Sequence, residues 1–406
     1  MKSNYKLLGD YITRVDVRNK NLETTNLKGL SMTKEFRDST SNIVGVDLSK
    51  YKLVPKNHFA CDFMSVIRVH KLPVVHQNSD ELIIVSPAYT VFKVIDESIL
   101  NPEYLMMWFR RPEFDRYADF RCDSAIRGGF KWNELGEVEL PIPSIEKQRE
   151  IVKEYNTIVN RITLNETLNQ KLEDTAQALY KHWFVDFEFP NAEGKPYKSS
   201  GGKMVYNEEL DKELPKDFFS GTLDNFVKLS QGQVINAKTR HLIKDKGIPL
   251  LRITELVNFS DGKIFIDESV NPKNIAKKED IIYTRTGNTC GLVFKNREGV
   301  VYNNCFKVIP INDNVSRDYI YWYLKQKSTF KIMVSLASSS AQPDLTHKAF
   351  FSVDSFVPDV KTQRLFSNIV GLIDSKMHLC QLLKKKLEEL KIILLSKMIN
   401  VSLKQQ

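Results

Sequence analysis

The stretch PIPSIEKQREIV, Pro141 to Val152, returns in altered form as VPDVKTQRLFSNIV, Val357 to Val370. Each copy sets a proline five residues ahead of a Gln-Arg pair: Pro143 before Gln148 and Arg149, and Pro358 before Gln363 and Arg364. The offset is 215 positions, 358 minus 143. It also relates Ile158 to Ile373, Leu168 to Leu383, Leu172 to Leu387 and Leu179 to Leu394. Far upstream it pairs Leu8 with Leu223, Tyr11 with Phe226 and Ile12 with Val227, in LGDYI and LDNFV. VFKVI from Val91 and CFKVI from Cys305 match at 214, and EYLMMWF from Glu103 meets DYIYWYL from Asp318 at 215. Separate anchors on nearly one offset mean that the chain is two tandem copies of one unit.

Each copy opens with a mixed part of about 140 residues. Short runs such as ELIIVS, YTVFKVI, EDIIYTR and NCFKVIPI, rich in β-branched and aromatic residues and bounded by turn formers, predict strands. One helix follows, PEYLMMWFRR or RDYIYWYLKQK. A long helix closes the copy. From Glu146 to Trp183 there is no glycine or proline, and apolar residues recur at Ile151, Tyr155, Ile158, Ile162, Leu168, Leu172 and Leu179. The second copy repeats the pattern at Phe366, Val370, Ile373, Met377, Leu383, Leu387 and Leu394. A helix of that length reaches ~60 Å, more than a globular core spans, so it requires a partner along its flank, and the other copy supplies one. The prolines mark the junction, because proline holds its predecessor extended and the helix begins just after it. The fold class expected is α+β: two mixed α/β domains, residues 1–143 and 220–358, with long helices at 144–186 and 359–406. The segment FPNAEGKPYKSSGGKMVYNEELDKELP reads as part of a surface linker, 187–219.

The bulk composition agrees with a folded chain of two or three domains: 406 residues, 42% hydrophobic, 27% charged, mean hydropathy −0.32. Neither a membrane span nor a signal peptide is recognisable, so a cytoplasmic location is expected. The five cysteines are scattered, with no CxxC pair, and the seven histidines include no HExxH, which argues against a disulfide framework and a structural metal. A net charge of +9 permits a polyanionic partner.

Motifs that would signal catalysis dissolve on inspection. NPEY at Asn101 resembles the NPPY of enzymes that methylate exocyclic amines, but its counterpart is SRDY at Ser316, and both precede the same apolar helix. Asn101 and Ser316 are therefore read as helix N-caps, with Pro102 at the first helical position. Pro358-Asp359 suggests a nuclease motif, yet its counterpart is Pro143-Ser144 and no Glu-x-Lys follows. No phosphate-binding glycine loop is present. These absences favour a binding protein over a self-sufficient methyltransferase or nuclease; a coiled-coil adaptor without nucleic acid is the other alternative.

Two similar basic domains held apart by arms suit a reader of two separated sites on DNA, with arm length setting their spacing. The anchors match between copies but the intervening stretches, CDFMSVIRVHKLPVV and TRTGNTCGLVF among them, do not. The two half-sites would then differ. Groove-reading candidates in predicted loops are Arg68, Lys71, Arg121, Arg127 and Lys131 in the first copy, and Arg240, Arg252, Arg285, Asn288 and Gln342 in the second.

LPIPSIEKQREI, LYKHWFVDFEFP and YNEELDKELPKDF, with DIIYTRTGNT and SPAYTVFKV, give the whole chain a resemblance to the specificity (HsdS) subunits of type I restriction-modification systems. It departs from the family pattern where Lys147 and Thr362 stand for the glutamate before the junction glutamine. The resemblance implies two target-recognition domains, an antiparallel coiled coil between them, and a pseudo-two-fold repeat. It also implies a non-catalytic subunit that recruits two methyltransferase (modification) subunits and two ATP-driven restriction subunits to a bipartite, asymmetric DNA target. S-adenosylmethionine, ATP and Mg²⁺ would belong to those partners and not to this chain. His182, Trp183, Phe184 and Phe187, in HWFVDFEF, would form part of the docking surface, or else close the helix end onto the adjacent domain.

Overall fold

The computed structural model describes residues 5–39, 45–122, 130–337 and 343–398. The chain folds as two compact units: residues 1–164 with 384–406, and residues 165–383.

Unit 1 begins with β1 (Tyr5–Leu7) and β2 (Ile12–Val15), then β3 (His58–Cys61), β4 (Val74–His76), β5 (Thr90–Val94), α1 (Pro102–Phe109), α2 (Pro112–Phe120) and β6 (Glu139–Pro141). Four strands form an antiparallel sheet in the order β2-β5-β3-β4, and β1 pairs separately with β6. Phe59 of β3 lies opposite Phe92 of β5, with rings stacked at 4.8 Å, and Phe109 meets both edge-on. α1 closes over this sheet because six of its eight residues are large and apolar or aromatic and all are buried. Asn101 caps it, the side chain accepting the Tyr104 N–H at 3.1 Å, with Pro102 at the first helical position.

The long helix α3 (Ile145–Phe184) leaves unit 1 through a buried glutamine. Gln148 has no exposed surface. Its Oε1 accepts the Asn101 N–H at 2.8 Å, and its Nε2 donates to the carbonyls of Ile99 and Pro143, each at 2.8 Å. The five-residue step from proline to glutamine is thus the reach of an amide from the first helical turn back to the proline carbonyl. Tyr104 adds a bond from its hydroxyl to the Pro141 carbonyl at 3.0 Å.

Unit 2 has the same framework: β7 (Phe219–Thr222), β8 (Val227–Gln231), β9 (Ile281–Thr284), β10 (Val293–Phe294), β11 (Cys305–Pro310), α4 (Arg317–Leu324), α5 (Lys327–Leu336) and β12 (Asp354–Val357). The sheet order is β8-β11-β9-β10, with β7 paired to β12. Gln363, 2% exposed, stands at the start of α6 (Val360–Lys397). Its Oε1 accepts the Ser316 N–H at 2.7 Å, and its Nε2 donates to Asn314 at 3.0 Å and Pro358 at 2.6 Å. Tyr319 donates to the Phe356 carbonyl at 2.6 Å. Donor and acceptor positions all follow the offset of 215 read from the sequence. Ser144 and Asp359 are the N-caps, accepting from the N–H groups of Lys147 (3.4 Å) and Thr362 (3.0 Å).

The frameworks differ in the strands they carry besides the four-stranded sheet. Unit 1 has short ribbons, Lys28–Leu30 with Phe36–Asp38 and Lys52–Val54 with Ile83–Val85. Unit 2 has a five-stranded sheet in which Ile248–Leu251 runs parallel to Gly299–Val301.

Each long helix contributes to both units. In unit 1, Ile151, Val152 and Tyr155 share a core with Leu395 and Met398. In unit 2, Phe366 meets Tyr180 at 6.0 Å and Phe184 at 4.9 Å, and Asn165 donates to the Cys380 carbonyl. Within unit 2, therefore, α3 and α6 run in opposite directions. The segment expected as a linker also does more than connect: Phe187, Phe189 and Phe218 are buried in the unit 2 core, and Met204–Asn207 pairs with Lys212–Pro215 as a hairpin. Its polar residues suggested solvent, but the aromatics between them stack on one another and on Phe356.

Removing either junction amide strands a buried N–H and two carbonyls. Gln148→Ala and Gln363→Ala should each lower stability by about 3 kcal/mol in urea unfolding. An unchanged midpoint would show that the junction bonds contribute nothing net.

Candidate nucleic-acid interface

In unit 1 the sequence candidates gather around α2. Arg68 lies on the short helix Val66–Val69, exposed, its Nη2 donating to Ser65 Oγ at 3.0 Å. That helix abuts α2, where His70 Nδ1 lies 2.9 Å from Asp119 Oδ1. Lys71 is exposed and makes no ion pair among the described residues. Arg121 follows α2 and is paired with Glu137. Lys131 precedes the short helix Trp132–Gly136, which is joined to α2 by the bond from Tyr117 Oη to the Glu134 carbonyl at 3.2 Å. Arg127 lies outside the described residues.

One residue that sequence reasoning missed sits in the middle of this group. Phe120, the last residue of α2, is 86% exposed, and Met64 and Ile67 nearby in chain order with Arg68 are exposed as well. Periodicity gave no clue to Phe120, since an aromatic at a helix end is read as core; only its placement shows it facing water.

In unit 2 the candidates divide. Arg285 is occupied: its guanidinium forks onto Asp344 at 2.9 and 2.8 Å, and Nη1 donates to Gln231 Oε1 at 3.3 Å. His347 Nε2 lies 3.0 Å from the same oxygen. This network ties the TRTGNT turn to residues 343–347, together with bonds from Gly287 N–H to Pro343 and from Leu345 N–H to Arg285. Gly287 and Gly291 take positive φ, +69° and +97°, which lets the turn fold back on itself. Arg252 is likewise committed, its Nε donating to Glu255 Oε2 at 3.0 Å at the start of the short helix Ile253–Val257. Arg240, on the 3₁₀ turn Arg240–Leu242, and Asn288 are exposed, and Arg240 has no ion pair among the described residues. Gln342 lies outside the described residues.

The expected docking aromatics are mostly internal. Trp183, Phe184 and Phe187 belong to the unit 2 core, while His182 is exposed. The helix end is closed by its own aromatics, because three rings in five residues meet Phe366, Phe218 and Phe356. Exposed apolar residues appear instead along α6, at Leu365, Ile369, Leu372, Leu379 and Leu383 in unit 2, with Leu372 72% exposed.

Unit 1 also holds a polar cavity of about 350 Å³, lined by Lys28, Lys34, His76, Gln77, Glu81 and Arg110 among others. Burial, then the charges of Arg110 and His58, push the His76 ring down to about 4, and its Nε2 has no hydrogen-bond partner. Among the described residues, no group of three His, Cys, Asp or Glu could hold a metal ion, and no helix is long and apolar enough to cross a membrane.

Residues 215–393 match the type I restriction modification DNA specificity domain. Over 165 residues the chain is 33% identical to the MjaIX type I restriction enzyme specificity subunit of Methanocaldococcus jannaschii. That match takes in 40% of this chain and 36% of the relative, so it spans about a third of that protein's length. The HindI specificity subunit of Haemophilus influenzae is 24% identical over 374 residues, covering 77% of this chain and 80% of that one. The crystal structure of the type I restriction-modification system S subunit from M. genitalium superposes with a TM-score of 0.56 at 16% identity, over 98% of this chain and 96% of that one, a likeness of fold. The matched domain is thus a DNA specificity domain by family. The chain is similar to the specificity subunits of type I restriction-modification systems.

The neutral His76 gives unit 1 a pH signature. Its folded-state pKa lies below the ordinary 6.5, so its contribution to stability is complete above 6.5 and is lost as pH falls from 6.5 through 4. The loss should reach about 3 kcal/mol, and His76→Phe should flatten that part of the profile in urea unfolding at pH 7.5, 6, 5 and 4. Parallel profiles for the two proteins would refute it.

Proposed function

We propose that this chain is the DNA-reading subunit of a type I restriction-modification complex, each mixed domain reading one half of a bipartite, asymmetric target. The observation that carries the reading is one framework used twice with different additions: short ribbons in unit 1 and a five-stranded sheet in unit 2. A common mount with divergent surfaces is what two different half-sites require. α3 and α6 act as the antiparallel coiled-coil spacer of an internal pseudo-two-fold repeat. The opposed directions of the helices inside unit 2 and the matched junction glutamines support this.

The chain itself has no catalytic role. It docks two methyltransferase subunits and, with them, two restriction subunits, which bring S-adenosylmethionine, ATP and Mg²⁺. Docking uses the outward stripe Leu365, Ile369, Leu372, Leu379 and Leu383, whose spacing of four, three, seven and four residues follows one face of α6. His182 borders the helix end where partners would also approach.

On DNA, Lys71 and Arg240 neutralise phosphates, with Arg68, Arg121, Lys131 and Asn288 beside them in their units, and Arg127 and Gln342 as further contacts. Arg285 and Arg252 act through the segments they hold in place, since their guanidinium groups are engaged. Phe120 adds an apolar contact among the cations of unit 1.

The decisive experiment maps methylated adenines in cells with and without this chain, then exchanges residues 1–143 for those of another family member. One half of the target should change; a change in both halves would refute the modular reading. Lys71→Ala and Arg240→Ala should each reduce the salt slope of duplex binding by about 1, whereas Phe120→Ala should weaken binding at every salt concentration with the slope unchanged. Leu372→Glu with Leu379→Glu should abolish co-purification with the methyltransferase subunit while the unfolding midpoint stays within error. Retained co-purification would exclude the stripe.

A further inference from the structure

In unit 2 two half-buried lysines bracket one tyrosine. Lys295, just after β10, sets its ammonium 4.4 Å from the Tyr321 ring centroid, and Lys325, just after α4, stands 5.5 Å from it. Each lysine takes its counter-charge from a different long helix. Lys295 pairs with Asp374 of α6 and, at 3.1 Å, with Asp318 of α4. Lys325 Nζ lies 2.6 Å from Glu173 Oε1 of α3. Trp322 donates its indole N–H to Asp374 at 3.4 Å.

Burial pushes the Asp374 carboxyl up, against the pull of Lys295. Burial works the other way on Lys295, but Asp374 and Asp318 together outweigh it and hold the ammonium above its ordinary range. Lys325 is also raised, with Tyr321 and Glu173 overcoming its burial. One cation shared between two acids stays charged while the deeper acid bears the loss of water.

Unit 1 solves the same mounting without these ions. At positions 215 earlier, Met106 and Met107 replace Tyr321 and Trp322, and Val159 replaces Asp374, while the strand pairing sets His76 in the place of Val293 and so Asn78 in the place of Lys295. Met106 and Met107 are buried and Val159 packs against the same core. Glu103, in the place of Asp318, accepts from Asn156 Nδ2 at 2.7 Å, and Arg110, in the place of Lys325, donates to the Tyr155 hydroxyl at 3.1 Å. At these positions the framework meets its long helix through apolar packing and through charged groups bonded to uncharged partners, with no carboxylate–ammonium pair among the described contacts. Desolvating charged groups to do the same work is not the more stable solution, since apolar replacement of buried ion pairs is often neutral or stabilising. What the ions add is directionality: an ammonium must stay on its carboxylate, whereas apolar surfaces tolerate small slides.

We infer that Lys295–Asp374 and Lys325–Glu173 are positioning pairs that fix the orientation of the strand-rich body of unit 2 on α3 and α6, and so set how strictly the second half-site must be spaced. This rests on the bipartite reading above.

The test uses the full chain with its methyltransferase subunits and three kinds of duplex. They carry the two-part target mapped by methylation, that target with one base pair added to or removed from the gap, and the second half-site alone. Wild type should prefer the native gap by about tenfold, the scale of one mismatched pair. Lys295→Met with Asp374→Leu should keep the wild-type unfolding midpoint and bind the lone half-site within about twofold of wild type, yet reduce the gap preference to about twofold. Each single substitution should relax the preference too, with a lowered midpoint. If the double variant keeps the full gap preference, or loses lone half-site binding in step with the full target, the pairs are ordinary core packing and the inference falls. If the wild-type complex binds the two-part target no better than the lone half, the bipartite reading itself fails, and the inference with it.

Discussion

The structure depends on a glutamine side chain buried where a strand gives way to a long helix. At Gln148 and again at Gln363 one amide binds three backbone groups. It joins the loop before the apolar helix, the proline that ends the strand region, and the first turn of the long helix. Only a side chain with both a donor and an acceptor, on a stem of this length, meets all three at once. A buried backbone group without a partner is costly, so the junction permits little variation. The tyrosine three residues into each apolar helix, Tyr104 or Tyr319, adds a fourth bond to the strand that leads into the junction.

Around that fixed joint the two units are free to differ, and they do so in kind. Unit 1 packs its helix contacts with methionine and valine, and with hydrogen bonds from Glu103 and Arg110 to the uncharged side chains of Asn156 and Tyr155. Unit 2 uses lysines with carboxylates from both long helices. The added strands diverge further, from two short ribbons to a five-stranded sheet. A joint that must satisfy backbone groups and a surface that must match a partner follow different rules: the first is held by geometry, the second by whatever it contacts.

Several side chains changed meaning once their neighbours were known. Trp183, Phe184 and Phe187 carry the look of a docking motif, yet their rings fill the core of unit 2. Arg285 sits in a polar glycine-containing turn, a place suited to groove reading, but its fork is held by Asp344. Phe120 has the look of core and lies in water. In each case the residue type set what the side chain could do, and the surroundings chose among the options.

From the amino-acid order alone came the offset of 215, the strand-rich bodies, the two long helices with their first turns, and the caps at Asn101 and Ser316. These are legible because spacing, period and capping chemistry act over a few residues of local chain. The partition of each long helix between two units, the burial of the 187–219 aromatics, the partners of Arg285, and the ionic mount built from Lys295, Lys325, Glu173 and Asp374 came only with the tertiary structure. Those contacts join residues from tens to more than a hundred positions apart, and no local pattern states which distant carboxylate a lysine will meet or which ring a helix end will cover.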